Sequence, residues 1–112
     1  MATLNAQNIL RSGLAPAFVA ANAGGDQFVP DREAYLHVKN GGAGAITVTV
    51  AAGQVPAPNL TTTMQGVSVP AGGERLLGPF PYQIFADANG FAQVTYSGVG
   101  TVTVGVFKLS QP

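Results

Sequence analysis

The chain has 112 residues, of which 46% are hydrophobic and only 9% charged, with five Lys or Arg against five Asp or Glu. One domain of this length usually carries about 28 charges, so its surface is neutral, weakly hydrated and without the basic face that nucleic-acid binding requires. The absence of Cys removes disulfide scaffolds, thiolate metal sites and thiol nucleophiles, and no apolar run reaches the roughly 18 residues of a membrane span.

Residues 1–25 are the least strand-like. Ala, Asn and Gly dominate them, as in Ala20-Ala21-Asn22-Ala23-Gly24-Gly25. Met1 to Asn8 has no basic n-region, and its Asn and Gln break any apolar h-region, so a secretory signal is not expected and synthesis and folding in a cytoplasm are. A helix of about two turns over residues 6–11 competes with irregular chain there. The whole stretch reads as an arm lying on the body or on a neighbour, ahead of a single β domain over residues 26–112.

Strand signals then follow one another. In Tyr35-Leu36-His37-Val38-Lys39-Asn40, Leu36 and Val38 point one way and Tyr35, His37 and Lys39 the other. Asn40-Gly41-Gly42-Ala43-Gly44 is a turn. Ile46-Thr47-Val48-Thr49-Val50 alternates again with Ile46, Val48 and Val50 inward, so the two runs read as a β-hairpin. Pro56 and Pro58 make residues 52–60 a surface loop. A strand over residues 62–69 turns Val67 and Val69 inward, with Gly66 as a bulge position. Pro70-Ala71-Gly72-Gly73 turns the chain into a short extended piece over residues 74–78.

Pro79-Phe80-Pro81-Tyr82 is stiff, because each Pro fixes its own φ and restricts the residue before it. Residues 83–86 read as a brief strand. Asp87-Ala88-Asn89-Gly90 is a turn. The run over residues 91–97 places Ala92, Val94 and Tyr96 on one face. Gly98-Val99-Gly100 reverses the chain into a last run, 101–109, with Val102, Val104 and Val106 together. Short connections make this last third a meander. Seven or eight strands with such turns predict an all-β fold, a β-sandwich or jelly-roll-like small barrel with an irregular N-terminal arm.

The outward positions are mostly Thr: Thr47, Thr49, Thr95, Thr101 and Thr103. Intrinsic β propensity accounts for Thr there. So does a face covered by another chain, since a hydroxyl costs less to bury than an ion.

Chemistry-bearing residues are few. His37 is the only histidine; it falls on an outward face with no nucleophile tied to it by motif, so it reads as a surface or interface residue. Asp26, Asp31 and Glu33 give the best oxygen cluster for a hard cation, but Arg32 lies among them and solvated loop charges explain them better. Asp87-Ala88-Asn89-Gly90 starts like a calcium loop, yet Gly98 stands where its closing Glu belongs. Gly41-Gly42-Ala43-Gly44 lacks the Lys-Ser/Thr and the helix of a phosphate loop. No catalytic, metal or cofactor site is therefore expected. Phe80 and Tyr82 flank Pro81, either as anchors of a protein interface or as caps on one end of the core.

Several segments occur together in a familiar order: Ala20-Ala21-Asn22-Ala23-Gly24-Gly25-Asp26, Leu36-His37-Val38-Lys39-Asn40-Gly41, Val69-Pro70-Ala71-Gly72-Gly73-Glu74, Gly78-Pro79-Phe80, and the run from Asp87 to Ser97. Over residues 16–106 the chain resembles the small capsid decoration (cement) proteins of tailed bacteriophages. The resemblance implies a non-enzymatic virion protein on the capsid exterior. Its expected partners are the major capsid protein and further copies of itself, with trimers favoured, and no nucleic acid or membrane. Expected contact residues are Leu4, Ile9, Leu10 and Arg11 of the arm and Phe80, Pro81 and Tyr82 of the stiff loop. A head–tail connector or tail-tube subunit, and a carbohydrate or adhesion module of β-sandwich type, are the alternatives. The lack of Trp counts against the last.

Overall fold

A computed structural model describes residues 2–51 and 66–109. The strands are β1 (Ala2–Leu4), β2 (Ala6–Ile9), β3 (Val19–Ala20), β4 (Asp26–Phe28), β5 (Ala34–Asn40), β6 (Ile46–Ala51), β7 (Val67–Val69), β8 (Glu74–Leu77), β9 (Ala92–Tyr96) and β10 (Val102–Leu109). A single helical turn, α1 (Tyr82–Phe85), precedes β9. One sheet runs β1-β4-β9-β6-β7 and the other β2-β10-β5-β8, with β3 beside β2 on the same edge of β10. The sheets pack face to face as a β-sandwich; neither closes on the other, so it is not a barrel. Among the described residues no helix is long and apolar enough to cross a membrane.

Strict alternation fills the space between the sheets. The first sheet contributes Phe28, Val48, Val50, Val69 and Val94, and the second Leu36, Val38, Val102, Val104 and Val106, all essentially inaccessible to water. Burying each such side chain is worth about 1.5–3 kcal/mol, which is what holds two short-stranded sheets together. Phe80 seals one end of this layer. Its ring centroid lies 5.2 Å from those of Phe28 and Phe85, both in edge-to-face arrangements.

The pairing departs from the local reading in several places. Residues 35–40 and 46–50 do not form a hairpin. β5 pairs with β10 and β8, whereas β6 pairs with β7 and β9 in the other sheet. The last third is not a meander either, because β9 and β10 lie in different sheets. Residues 83–86 are not a strand: Phe85 and Ala86 donate backbone hydrogen bonds to Pro81 and Tyr82, which winds the segment into α1. Residues 6–11 are not helical, since residues 6–9 satisfy their backbone along the edge of β10. The arm as a whole is less irregular than its composition, for β1, β2 and β3 all lie within it. Thr101 precedes β10 in a turn, with φ +57°. Gly66 is required by close approach, as a Cβ there would lie 2.3 Å from the Thr47 methyl. The loop read at residues 52–60 and the strand start at residues 62–65 lie outside the described residues.

Three crossings between the sheets, β5 to β6, β7 to β8 and β9 to β10, converge on Asn40. This side chain is buried. Its Nδ2 donates to the carbonyls of Gly44 (2.8 Å) and Val69 (3.1 Å), and its Oδ1 accepts from the Gly42 amide (3.0 Å). Its backbone amide donates to Gly73, and Gly41 donates to Thr101. A buried amide so fully used fixes where the chain leaves each sheet. Asn40→Ala is expected to lower stability by about 2–4 kcal/mol in urea unfolding, since it removes the three side-chain bonds to Gly44, Val69 and Gly42 and leaves the buried Val69 carbonyl without this partner. Thr95→Ala, on the outer face of β9, should change stability by no more than about 0.5 kcal/mol.

Candidate functional site

The sheets present two different outer faces. On the first sheet, pairing aligns Thr3, Gln27 and Gln93, then Thr95 with Thr49, then Thr47 with Ser68. Hydroxyls and amides cover it. Gln27 Nε2 donates to Thr3 Oγ1 (2.9 Å), and Gln93 Nε2 donates to Gln27 Oε1 (3.1 Å) and Asp87 Oδ2 (2.8 Å). Such a face carries no charge along its strands.

The outer face of the second sheet is aromatic and aliphatic. Tyr35 stands opposite Phe107, His37 opposite Leu76 and Gly105, and Leu109 opposite Ile9. Phe18 lies across it. Its ring centroid is 5.0 Å from that of His37 and 5.6 Å from that of Phe107, with Lys39 Nζ 3.9 Å above it. Gly105 makes the room for this segment, because a Cβ there would stand 3.0 Å from both the Ala17 carbonyl and the Phe107 ring. The Gln7 amide clamps the same segment by accepting from the Ala17 N–H (2.9 Å) and donating to its carbonyl (2.8 Å). The strap formed by residues 10–18 thus borders a cleft of about 300 Å³ lined by Ile9, Leu10, Leu14, Tyr35, His37 and Phe107.

Around this cleft the apolar surface stays open to water. Leu10, Leu76 and Leu109 are exposed by 50%, 63% and 57%. At one end of the sandwich Val29, Pro30, Pro81 and Tyr82 border a separate shallow depression.

The expected contact residues therefore separate. Ile9 and Leu10 belong to the cleft, and Arg11 is exposed in the turn beside it. Pro81 and Tyr82 reach the surface at the far depression. Leu4 and Phe80 lie instead within the hydrophobic core of the chain, Leu4 because β1 turns it in beside Phe28 and Phe80 because it caps the sandwich. Phe18, Leu76 and Leu109 also shape this surface, and Phe107, itself buried beside Phe18, lines the cleft, although none of the four is among the expected contact residues. The signal was there, since β10 alternates and an inward Val104 and Val106 require Phe107 and Leu109 to face outward.

The ionisable groups among the described residues are engaged as follows. His37 Nε2 is engaged by the Glu74 carboxylate across the β5–β8 pair, and among the described residues no hydroxyl is hydrogen-bonded to its ring. Asp26 is buried, accepting from the Tyr96 hydroxyl (2.8 Å) and the Asn22 amide (3.2 Å). Burial, reinforced by the hydrogen bond and charge of Asp26, pushes the Tyr96 phenol far above its ordinary range. Asp31 instead accepts from the Glu33 amide. No group of three or more His, Asp or Glu side chains converges among the described residues.

Asp87 organises the turn before β9. Its Oδ1 accepts from the amides of Asn89 (2.8 Å) and Phe91 (3.1 Å). The Phe91 amide is the main cause holding its carboxyl below the ordinary 3.8, with Gln93 and Asn89 next. Compared with known proteins, the chain matches no family model, no curated protein and no solved structure.

Phe18→Ala should free the strap, since each ring contact contributes about 0.5–1.5 kcal/mol; hydrogen exchange at the Ala17 amide should rise about tenfold or more. Asp87→Asn provides a pH test. A carboxyl whose folded pKa is depressed contributes stability that is present above about pH 4 and lost as pH falls through the folded value. The stability gap between wild type and Asp87→Asn should stay constant down to about pH 4 and close below it, as read by urea unfolding across pH.

Proposed function

We propose that this chain is a non-enzymatic structural protein of a tailed-phage virion that sits on the capsid exterior and bridges neighbouring major capsid protein subunits. The observation that carries this reading is the outer face of the second sheet. Leu10, Leu76 and Leu109 stand exposed around one aromatic cleft, on a chain with ten charged residues in 112. Exposed apolar surface of this kind is typical of protein–protein contact. Supporting it are the ordered segments that resemble phage decoration proteins.

In this reading the apolar face of the second sheet meets the shell. The uncharged Thr, Gln and Ser face of the first sheet and the Val29–Tyr82 end remain for neighbouring copies. Repetition over a shell makes individually weak contacts sufficient, and the copies associate with closed symmetry, as a trimer in this reading. A tail-tube subunit would share the fold class and the tendency to self-associate but would not coat an empty shell.

Purified protein mixed with undecorated, expanded capsids should bind saturably at a fixed copy ratio, with density on the outer surface in electron micrographs. Leu76→Glu combined with Leu109→Glu should weaken this binding about tenfold or more, because burying an unpaired carboxylate at a contact is costly, while circular dichroism stays that of the wild type. Equal binding by the double variant, or no binding by the wild type, would remove the basis for the proposal.

A further inference from the structure

The N-terminal strands close one side of the sandwich like a clip. β1 pairs in parallel with β4 at the edge of the first sheet, and β2 pairs in parallel with β10 at the edge of the second. Between them only Asn5 crosses from sheet to sheet. The clip is lightly held. Its ladders are short and parallel, a pairing somewhat weaker per residue than antiparallel. Leu4 is its one large side chain in the core, with Ala6 packed partly against it. Behind it lies a cleft of about 340 Å³ lined by Leu4, Val19, Ala20, Val104 and Val106. Beyond β2, residues 10–16 contain no regular structure beyond one turn closed by the Gly13 amide on Leu10; extended, those seven residues would span about 23 Å.

We propose that residues 2–9 are exchanged between copies, so that the clip of one molecule occupies the β4 and β10 edges of another. Each contact of the clip described above is made to β4, to β10, to the core or to Ala17. A second copy presents the same groups in the same places. Exchange therefore keeps the Leu4 burial, both ladders, the Thr3–Gln27 bond and the Gln7 clamp on Ala17, and it alters only the path of residues 10–16. The edges cannot stay bare, because each would present unpaired N–H and C=O groups. A clip that leaves a cleft behind it and is joined by a connection able to reach a neighbour fits them equally well in trans, and reciprocal exchange closes into a symmetric oligomer. This inference stands apart from capsid binding and is tested without capsids.

The chain has no cysteine, so introduced thiols report without background. Thr3 and Gln27 pair across β1 and β4 on the outer face, with their side chains 2.9 Å apart. Chains carrying Thr3→Cys alone and Gln27→Cys alone, one of them tagged, are co-expressed and oxidised. Exchange predicts a mixed-chain link that shifts protein from the 11.3 kDa band to one of about twice that mass, and predicts that this link outweighs either same-variant link. A chain carrying both substitutions serves as the comparison. If that chain closes only within itself while the co-expressed single variants give no mixed link, the proposal is overturned. Absence of any link, by oxidation or by a short bismaleimide, also overturns it, because an exchanged clip must seat residue 3 beside residue 27. Sedimentation of the unmodified chain as a monomer at all concentrations would do the same.

Discussion

The side-chain amide of Asn40 sits where β5 leaves the second sheet, and the chain can change sheets there only because backbone groups stripped of ladder partners find this amide instead. Its bonds to Gly44, Val69 and Gly42 tie the β5–β6 crossing to the end of β7. The neighbouring Gly41–Thr101 and Asn40–Gly73 bonds bring in the other two crossings. A sandwich whose consecutive strands mostly alternate between layers needs such a junction. Without it the Val69 carbonyl, at the buried end of β7, would lose a partner, and a buried polar group left unpaired is costly.

This alternation between layers explains why the two outer faces differ. Each face is assembled from segments distant in sequence, so each can acquire its own chemistry. The first sheet gathers Thr47, Thr49, Thr95, Gln27 and Gln93 into an uncharged polar surface. The second gathers Tyr35, His37, Leu76, Phe107 and Leu109 into an apolar one, partly covered by the strap that Phe18 pins. Few charges over the whole chain and a concentrated apolar face fit one physical account: the exterior is suited to contact with protein more than to standing alone in water. The same account covers the clip, whose strands belong to whichever β4 and β10 edges they meet.

The expected contact residues show how far local reading reaches. Ile9, Leu10, Arg11, Pro81 and Tyr82 reach the surface, Ile9 from the edge strand β2, Leu10 and Arg11 from the turn after it and the other two from the proline-stiffened loop and the start of α1. Leu4 and Phe80 are in the core, because the sandwich needed an edge filler beside Phe28 and an end cap. No feature of the neighbouring sequence separates an apolar side chain that caps a core from one that awaits a partner. The distinction depends on what stands opposite it.

What the sequence alone determined is the facing of each strand. A period of two places Leu36 and Val38 against Tyr35 and His37, Val48 and Val50 against Thr47 and Thr49, and Val102, Val104 and Val106 on one side, and all of these appear as read. Only the tertiary structure decided which strands are neighbours. Residues 35–50 carry the same alternation and the same Gly-rich turn whether the chain folds back beside itself or crosses to the opposite layer. The choice is made by Asn40, Val69 and Thr101, up to 61 residues apart. Side-chain direction is a property of the backbone pleat and is written locally. Sheet membership is a competition among distant backbone partners, and no short window of sequence contains its competitors.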